Sequence, residues 1–176
     1  MMTPHTCTLD TPIGPLRLVA ARGALTQLRL PNRFEDPVEA EPAGDDRVLA
    51  LACEQLTEYF AGTRDTFDLP LAPEGTPFQR LVWDELVRIP HATTITYGEL
   101  AARIGRPHAS RAVGLANGRN PIAIVIPCHR VIGTGGKLTG YGGGLPTKAW
   151  LLEHERRAIQ PYLIQRPSSR SDGRLP

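Results

Sequence analysis

The chain has 176 residues, 41% hydrophobic and 22% charged, with a net charge of +2, the make-up of a folded globule with room for one domain or two small ones. No apolar run approaches the roughly 20 residues of a membrane span, and the start MMTPHTCTLD lacks the basic and apolar regions of a secretory signal. Cys7, Cys53 and Cys128 are odd in number and far apart, which argues against a disulfide framework or a cysteine-rich zinc site and for free thiols in the cytoplasm.

The charge is unevenly divided. Residues 1–75 carry 6 Arg against 12 acids, and residues 76–165 carry 11 Lys or Arg against 5 acids. The second part is the one suited to an anionic partner such as nucleic acid.

The first 30 residues alternate strand segments (TCTLD, LRLVA, LTQLRL) with turn formers and predict an antiparallel meander. PNRFEDPVEAEPAGDD reads as a surface loop. DRVLALACEQLTEYFAG predicts a helix with Leu49, Cys53, Leu56 and Phe60 on its apolar stripe, Asp45 or Asp46 as N-cap and Gly62 as stop. Cys53 on that stripe, and Cys7 in the first strand, read as small buried hydrophobes. DLPLAPEGTPFQ marks a linker, giving an N-terminal α/β domain over 1–75, a second domain over 76–165 and a tail, 166–176, whose composition predicts disorder.

Thr76-Pro77-Phe78-Gln79 is a capping box opening a helix to about Ile89, with Phe78, Leu81, Val82, Leu86 and Ile89 apolar. A second box, Thr96-Tyr97-Gly98-Glu99, opens YGELAARIG, which Gly105 ends; SRAVGLANG follows, ended by Gly118. Two short helices joined by a tight turn outline a helix-turn-helix. Ala109, Ser110, Ala112, Gly114, Ala116 and Gly118 leave the second helix little apolar area to bury, and each glycine costs roughly 1 kcal/mol relative to alanine. Either another helix packs closely there or a nucleic-acid groove does, with Arg111 protruding.

Chemistry concentrates in IVIPCHRVIG, where a buried-looking run ends in a stiff Pro127 and then Cys128 beside His129. A thiol of ordinary pKa, about 8.5, is mostly protonated at neutral pH, so a nucleophilic cysteine needs a base. Neighbours in an extended chain point apart, so a turn or a bridging water is required to connect the pair. Glu155, four residues after Leu151 and three after Leu152 in TKAWLLEHERRA, falls on the side those leucines bury and would need a partner such as His129. The residues alone leave open a thiol nucleophile of the acyltransferase or protease type, and a structural trio with no chemistry. Zinc fits poorly, since His154 is the only other nearby ligand type.

RNPIAIVIPCHRVIG, with GYGGG and KAWLLEHE after it, resembles the O6-alkylguanine-DNA alkyltransferase family, and the likeness runs from TPIGPLRL to the Glu155 helix. The resemblance implies an α+β fold: a small antiparallel sheet with a helix (ribonuclease H-like), then a mostly helical domain with a helix-turn-helix. It implies single-turnover, irreversible transfer of an alkyl group from O6-alkylguanine, and also O4-alkylthymine, to Cys128. His129, oriented by Glu155, would take the proton through a water, and Asn120 would tie the active-site turn to the recognition helix. The partner would be double-stranded DNA, bound through the minor groove with the lesion flipped out. Arg111 would fill the gap, and Ala109, Ser110, Ala112 and Gly114 would face the groove. Tyr97 would help flip the nucleotide and donate to N3. Tyr141, Gly142 and Gly143 would form the pocket, with the amides of Tyr141 and Gly142 toward O6 and the carbonyls of Cys128 and Val131 toward the exocyclic amine.

No cofactor, metal or membrane is implied, and a monomer is expected, with clustering on DNA left open. Two departures stand out. Gly142 replaces a serine of some relatives, which predicts a roomier pocket, and Ala21 stands where a second cysteine of the zinc-binding relatives would be. The alternative is a non-reacting lesion-sensing or regulatory helix-turn-helix protein, which Cys128 argues against.

Overall fold

The computed structural model describes residues 3–34 and 38–164, with side chains to residue 158; the tail predicted over 166–176 lies outside them. Strands β1 (His5–Leu9), β2 (Leu16–Ala21) and β3 (Ala24–Arg29) form the expected antiparallel meander. Leu16, Leu18, Val19 and Ala20 of β2 are all buried, so this strand is covered on both faces. The segment expected to be only a loop contributes β4 (Glu41–Pro42), which pairs parallel with β1, so the sheet is mixed, in the order β3-β2-β1-β4. Glu41 N donates to Pro4 O at 2.9 Å, and Pro42 sits at the sheet edge, where its missing donor costs nothing.

Helix α1 (Arg47–Phe60) starts where Asp46 accepts from the Val48 and Leu49 amides, at 2.9 and 3.1 Å. Its core face is Leu49, Ala52, Gln55, Leu56 and Tyr59. Cys53 lies one position off that stripe. It and Cys7 are therefore half-buried at the seam between α1 and β1, not core residues as expected, and their sulfurs lie 3.6 Å apart.

Both predicted capping boxes are present, at the starts of α2 (Pro77–Val87) and α3 (Tyr97–Arg103). The buried stripe of α2 is Val82, Trp83 and Leu86, whereas Leu81, expected inside, is 42% exposed. The indole wins that place because its Nε1 donates to Ala116 O, at 2.9 Å, on α4 (Ser110–Gly118). Gly105, at φ +71°, makes the turn between α3 and α4.

A short parallel pair, β5 (Ile95–Thr96) with β6 (Val131–Ile132), sets the start of α3 beside the segment that follows Cys128. Helix α5 (Leu145–Ile164) completes the fold. Across the linker, Leu28 N donates to Pro121 O at 2.9 Å and Ala123 N to Leu28 O at 3.2 Å, so β3 pairs at Leu28 with the lead-in of the Cys128 segment. One hydrophobic core, from Leu16 to Leu151, runs through both parts. Among the described residues no helix is long and apolar enough to cross a membrane.

Candidate active site

Residues Ile122 to Ile126 are all buried, as the sequence predicts, and deliver the chain to Pro127, after which Cys128–Arg130 form one turn of 3-10 helix. That turn puts successive side chains about 120° apart. Cys128 and His129 accordingly share no direct hydrogen bond. The Cys128 thiol, 5% exposed, receives Asn120 Nδ2 at 3.1 Å. The same amide donates to Ile126 O at 2.7 Å, while Asn120 Oδ1 accepts from Ile122 N at 3.0 Å. Asn120 thus clamps its own loop, and the link to α4 comes from Asn117, whose Nδ2 donates to Cys128 O at 3.3 Å. Burial pushes the Cys128 thiol up, opposed by the Asn120 bond and then by the charge of Lys148.

His129 and Glu155 are both fully buried, with Nε2 to Oε1 at 2.7 Å. Burial holds the imidazole below its ordinary pKa although the carboxylate pulls it up. A neutral ring that donates from Nε2 leaves Nδ1 as an acceptor, and Nδ1 is buried with no hydrogen-bond partner among the described residues.

Glu155 also accepts from Arg130 Nε and Nη2 (3.0 Å each), Tyr59 Oη (2.9 Å) and Ala92 N (3.0 Å). Burial alone would raise this carboxyl; the His129 and Arg130 interactions outweigh it and keep Glu155 well below the usual carboxylate range. Arg130 additionally donates from Nη1 to Ile89 O at 2.6 Å.

Cys128 opens on a cavity of about 180 Å³, bounded by Leu30 and Arg33 on one side and by Asn120, Tyr141 and Gly142 on others. The hydroxyl of Tyr141 is buried and has no partner among the described residues. Gly142 does not make this space roomier, contrary to the expectation. A Cβ there would meet Arg33 Nη2 at 2.8 Å, so a guanidinium from the N-terminal part occupies the place of a serine side chain, and Arg33 Nη2 donates to Gly118 O at 3.3 Å. Asn32 Nδ2 holds Gly142 O at 2.6 Å, and Gly143 packs so closely on Leu30 that no Cβ fits. Lys148, fully buried, donates to Val131 O at 2.6 Å and Thr139 O at 2.9 Å, tying both ends of the loop together.

On α4, Val113, Ala116 and Asn117 face inward, while Arg111, Ala112 and Leu115 (68% exposed) face out. The inward face is thus packed as the first reading of the bare helix expects, and the outward face is open to solvent. Ala109 and Ser110 are half-buried at its start, and Gly114 lies against the Tyr97 ring, where a Cβ would stand 3.7 Å from Cδ1. The Tyr97 hydroxyl donates to Thr139 O at 3.2 Å. Arg111, Gly114, Leu115, Tyr97 and Gly140 line one shallow groove that leads toward Tyr141.

Sequence reasoning missed Asn117, Arg130, Lys148, Tyr59 and Arg33. Lys148 was within reach, since it shares the helical stripe of Leu151 and Glu155. Asn117, one residue after Ala116 and four after Val113, carried the same kind of signal. Arg33 and Tyr59 carried none, because their contacts join parts of the chain 85 and 96 residues apart.

A buried thiol beside an imidazole–carboxylate pair, under a helix-turn-helix with an exposed arginine, defines a thiol enzyme built to act on DNA. Residues 77–157 match the model of the 6-O-methylguanine DNA methyltransferase DNA-binding domain, and residues 5–73 match that of its ribonuclease-like domain. The methylated-DNA–protein-cysteine methyltransferase of Mycobacterium tuberculosis is 51% identical over 86% of this chain and 92% of its own. That of Methanosarcina barkeri is 48% identical over 86% and 97%. A crystal structure of Mycobacterium tuberculosis OGT in complex with DNA superposes with a TM-score of 0.80 at 51% identity, covering 88% of this chain and 94% of that one. The chain belongs to the methylated-DNA–protein-cysteine methyltransferase family of DNA-repair enzymes.

Proposed function

We propose that Cys128 removes the alkyl group from O6-alkylguanine, and from O4-alkylthymine, in duplex DNA, once per molecule. The observation that carries this reading is the Asn120-held sulfur in a turn with a buried, neutral His129 whose Nδ1 is unpartnered. The Cys128 proton passes through a water to Nδ1, and Glu155 stabilises the imidazolium that forms. Sulfur attacks the alkyl carbon in line, the carbon–O6 bond breaks, and a stable thioether remains. The departing guanine takes a proton from Tyr97 at N3.

A thiol only 5% exposed cannot reach a stacked base, so the nucleotide leaves the helix at a cost of a few kcal/mol. The outward face of α4 enters the minor groove, with Arg111 in the vacated stack. Tyr141 and Gly142 amides face O6, and the carbonyls of Cys128 and Val131 face the exocyclic amine. Residues 1–75 brace the site, residues 76–165 bind DNA and carry the chemistry, and the protein works as a monomer in the cytoplasm.

Incubation with a duplex carrying O6-methylguanine should add one methyl group to the Cys128 peptide in a one-to-one yield. An unmodified peptide, or turnover beyond one equivalent, would refute the reading.

A further inference from the structure

Outside this site, the α1–β1 seam brings together two thiols that the proposed repair reaction does not use. Cys7 lies in the middle of β1 and Cys53 two turns into α1, both half-buried and within reach of a small solute, with sulfurs 3.6 Å apart. A disulfide would require these sulfurs to close from that contact to roughly 2.05 Å.

We propose that Cys7 and Cys53 form a second reactive thiol site, separate from Cys128, which exchanges with low-molecular-weight disulfides and closes to an intramolecular disulfide tying β1 to α1.

The chemistry divides between the two. The hydrogen bond from Cys7 draws the Cys53 thiol down to about 7 against the effect of burial, while the bond to Cys53, burial and the Cys53 and Asp46 charges push Cys7 up. The attack falls to Cys53 when its sulfur accepts from the Cys7 thiol 3.6 Å away, and the resolving step then falls to Cys7. Cys53 displaces one thiolate from the small disulfide and forms a mixed disulfide. Cys7 then loses its proton to solvent, attacks the Cys53 sulfur and releases the second thiolate. Two protein thiols are oxidised, and one small disulfide is reduced to two thiols. Cys128 is spared because it is 5% exposed and burial keeps it protonated.

The test is to incubate the full chain with oxidised glutathione at neutral pH, block free thiols with iodoacetamide and map peptides without reduction. The expected result is a cross-linked Cys7–Cys53 peptide pair two hydrogens lighter than the reduced pair, Cys128 recovered as a free thiol, and methyl-transfer capacity within twofold of the untreated protein. The unfolding midpoint should rise by on the order of 5–10 °C, since the cross-link restricts the unfolded chain, and should return on reduction. In Cys7→Ser, Cys53 should instead retain one glutathione. Glutathione recovered on Cys128 before the pair closes, a mixed disulfide on Cys53 that persists in the unsubstituted chain, or free Cys7 and Cys53 would each overturn the proposal.

Discussion

The proposed role of His129 asks a single ring to be a base without being a charge. Burial keeps it neutral, Glu155 fixes which nitrogen carries the proton, and the other nitrogen is left to accept. His129→Ala should therefore lower the rate of methyl transfer by about 10²–10⁴-fold, the usual range for losing a positioned base, as read by single-turnover kinetics on an O6-methylguanine duplex. Arg33 calls for a different measurement. Its guanidinium fills the volume over Gly142, so Arg33→Ala should raise transfer of O6-butyl relative to O6-methyl severalfold, with an unchanged ratio counting against that filling. The two residues differ in how readable they were. His129 announces itself by standing next to Cys128, whereas Arg33 stands in an acid-rich loop sequence and acquires its place only when Gly142 arrives from 109 residues away.

Among the elements, the helices with side-chain caps were the most legible. Asp46, Thr76 and Thr96 each start a helix as their spacing predicts, because a cap is a contact within three residues and needs nothing from the rest of the fold. Thr96→Ala should cost roughly 1 kcal/mol in denaturant unfolding and, because Tyr97 is the next residue, should also slow transfer. What local pattern could not supply was the rotation of a stripe. Leu81 is outside and Trp83 inside because an indole N–H found a carbonyl on α4, a tertiary choice that periodicity does not record. The two-residue β4 was invisible for a similar reason, since its pairing is set by β1 and not by its own sequence. The outward side of α4 also has a measurable consequence. Arg111→Ala should weaken binding to lesion-bearing duplex and reduce the salt dependence of that binding by about one counterion, measured by titration at several salt concentrations.

For the whole molecule, acid is the revealing perturbation. His129 and Glu155 both titrate below their ordinary values in the native state. Their contribution to stability is complete above the unfolded pKa values, about 6.5 and 4.3, and is lost as pH falls toward the native ones, because only the unfolded chain takes up the protons. The unfolding midpoint in denaturant should decline in two stages, beginning near pH 6.5 and again near pH 4.3, and His129→Gln should shrink the first, leaving the part that belongs to His91, which burial also holds below its ordinary value. A single late decline in the unsubstituted protein would contradict this assignment.

Tyr59 sits on α1, yet its hydroxyl belongs to the carboxylate that serves His129, and the loop above Cys128 rests on Leu30, Asn32 and Arg33. Recombination that exchanged either half for that of a distant relative would have to find a matching tyrosine and a matching roof at once. In this chain the two halves consequently work as one, and a chimaera should lose transfer unless the incoming half supplies both.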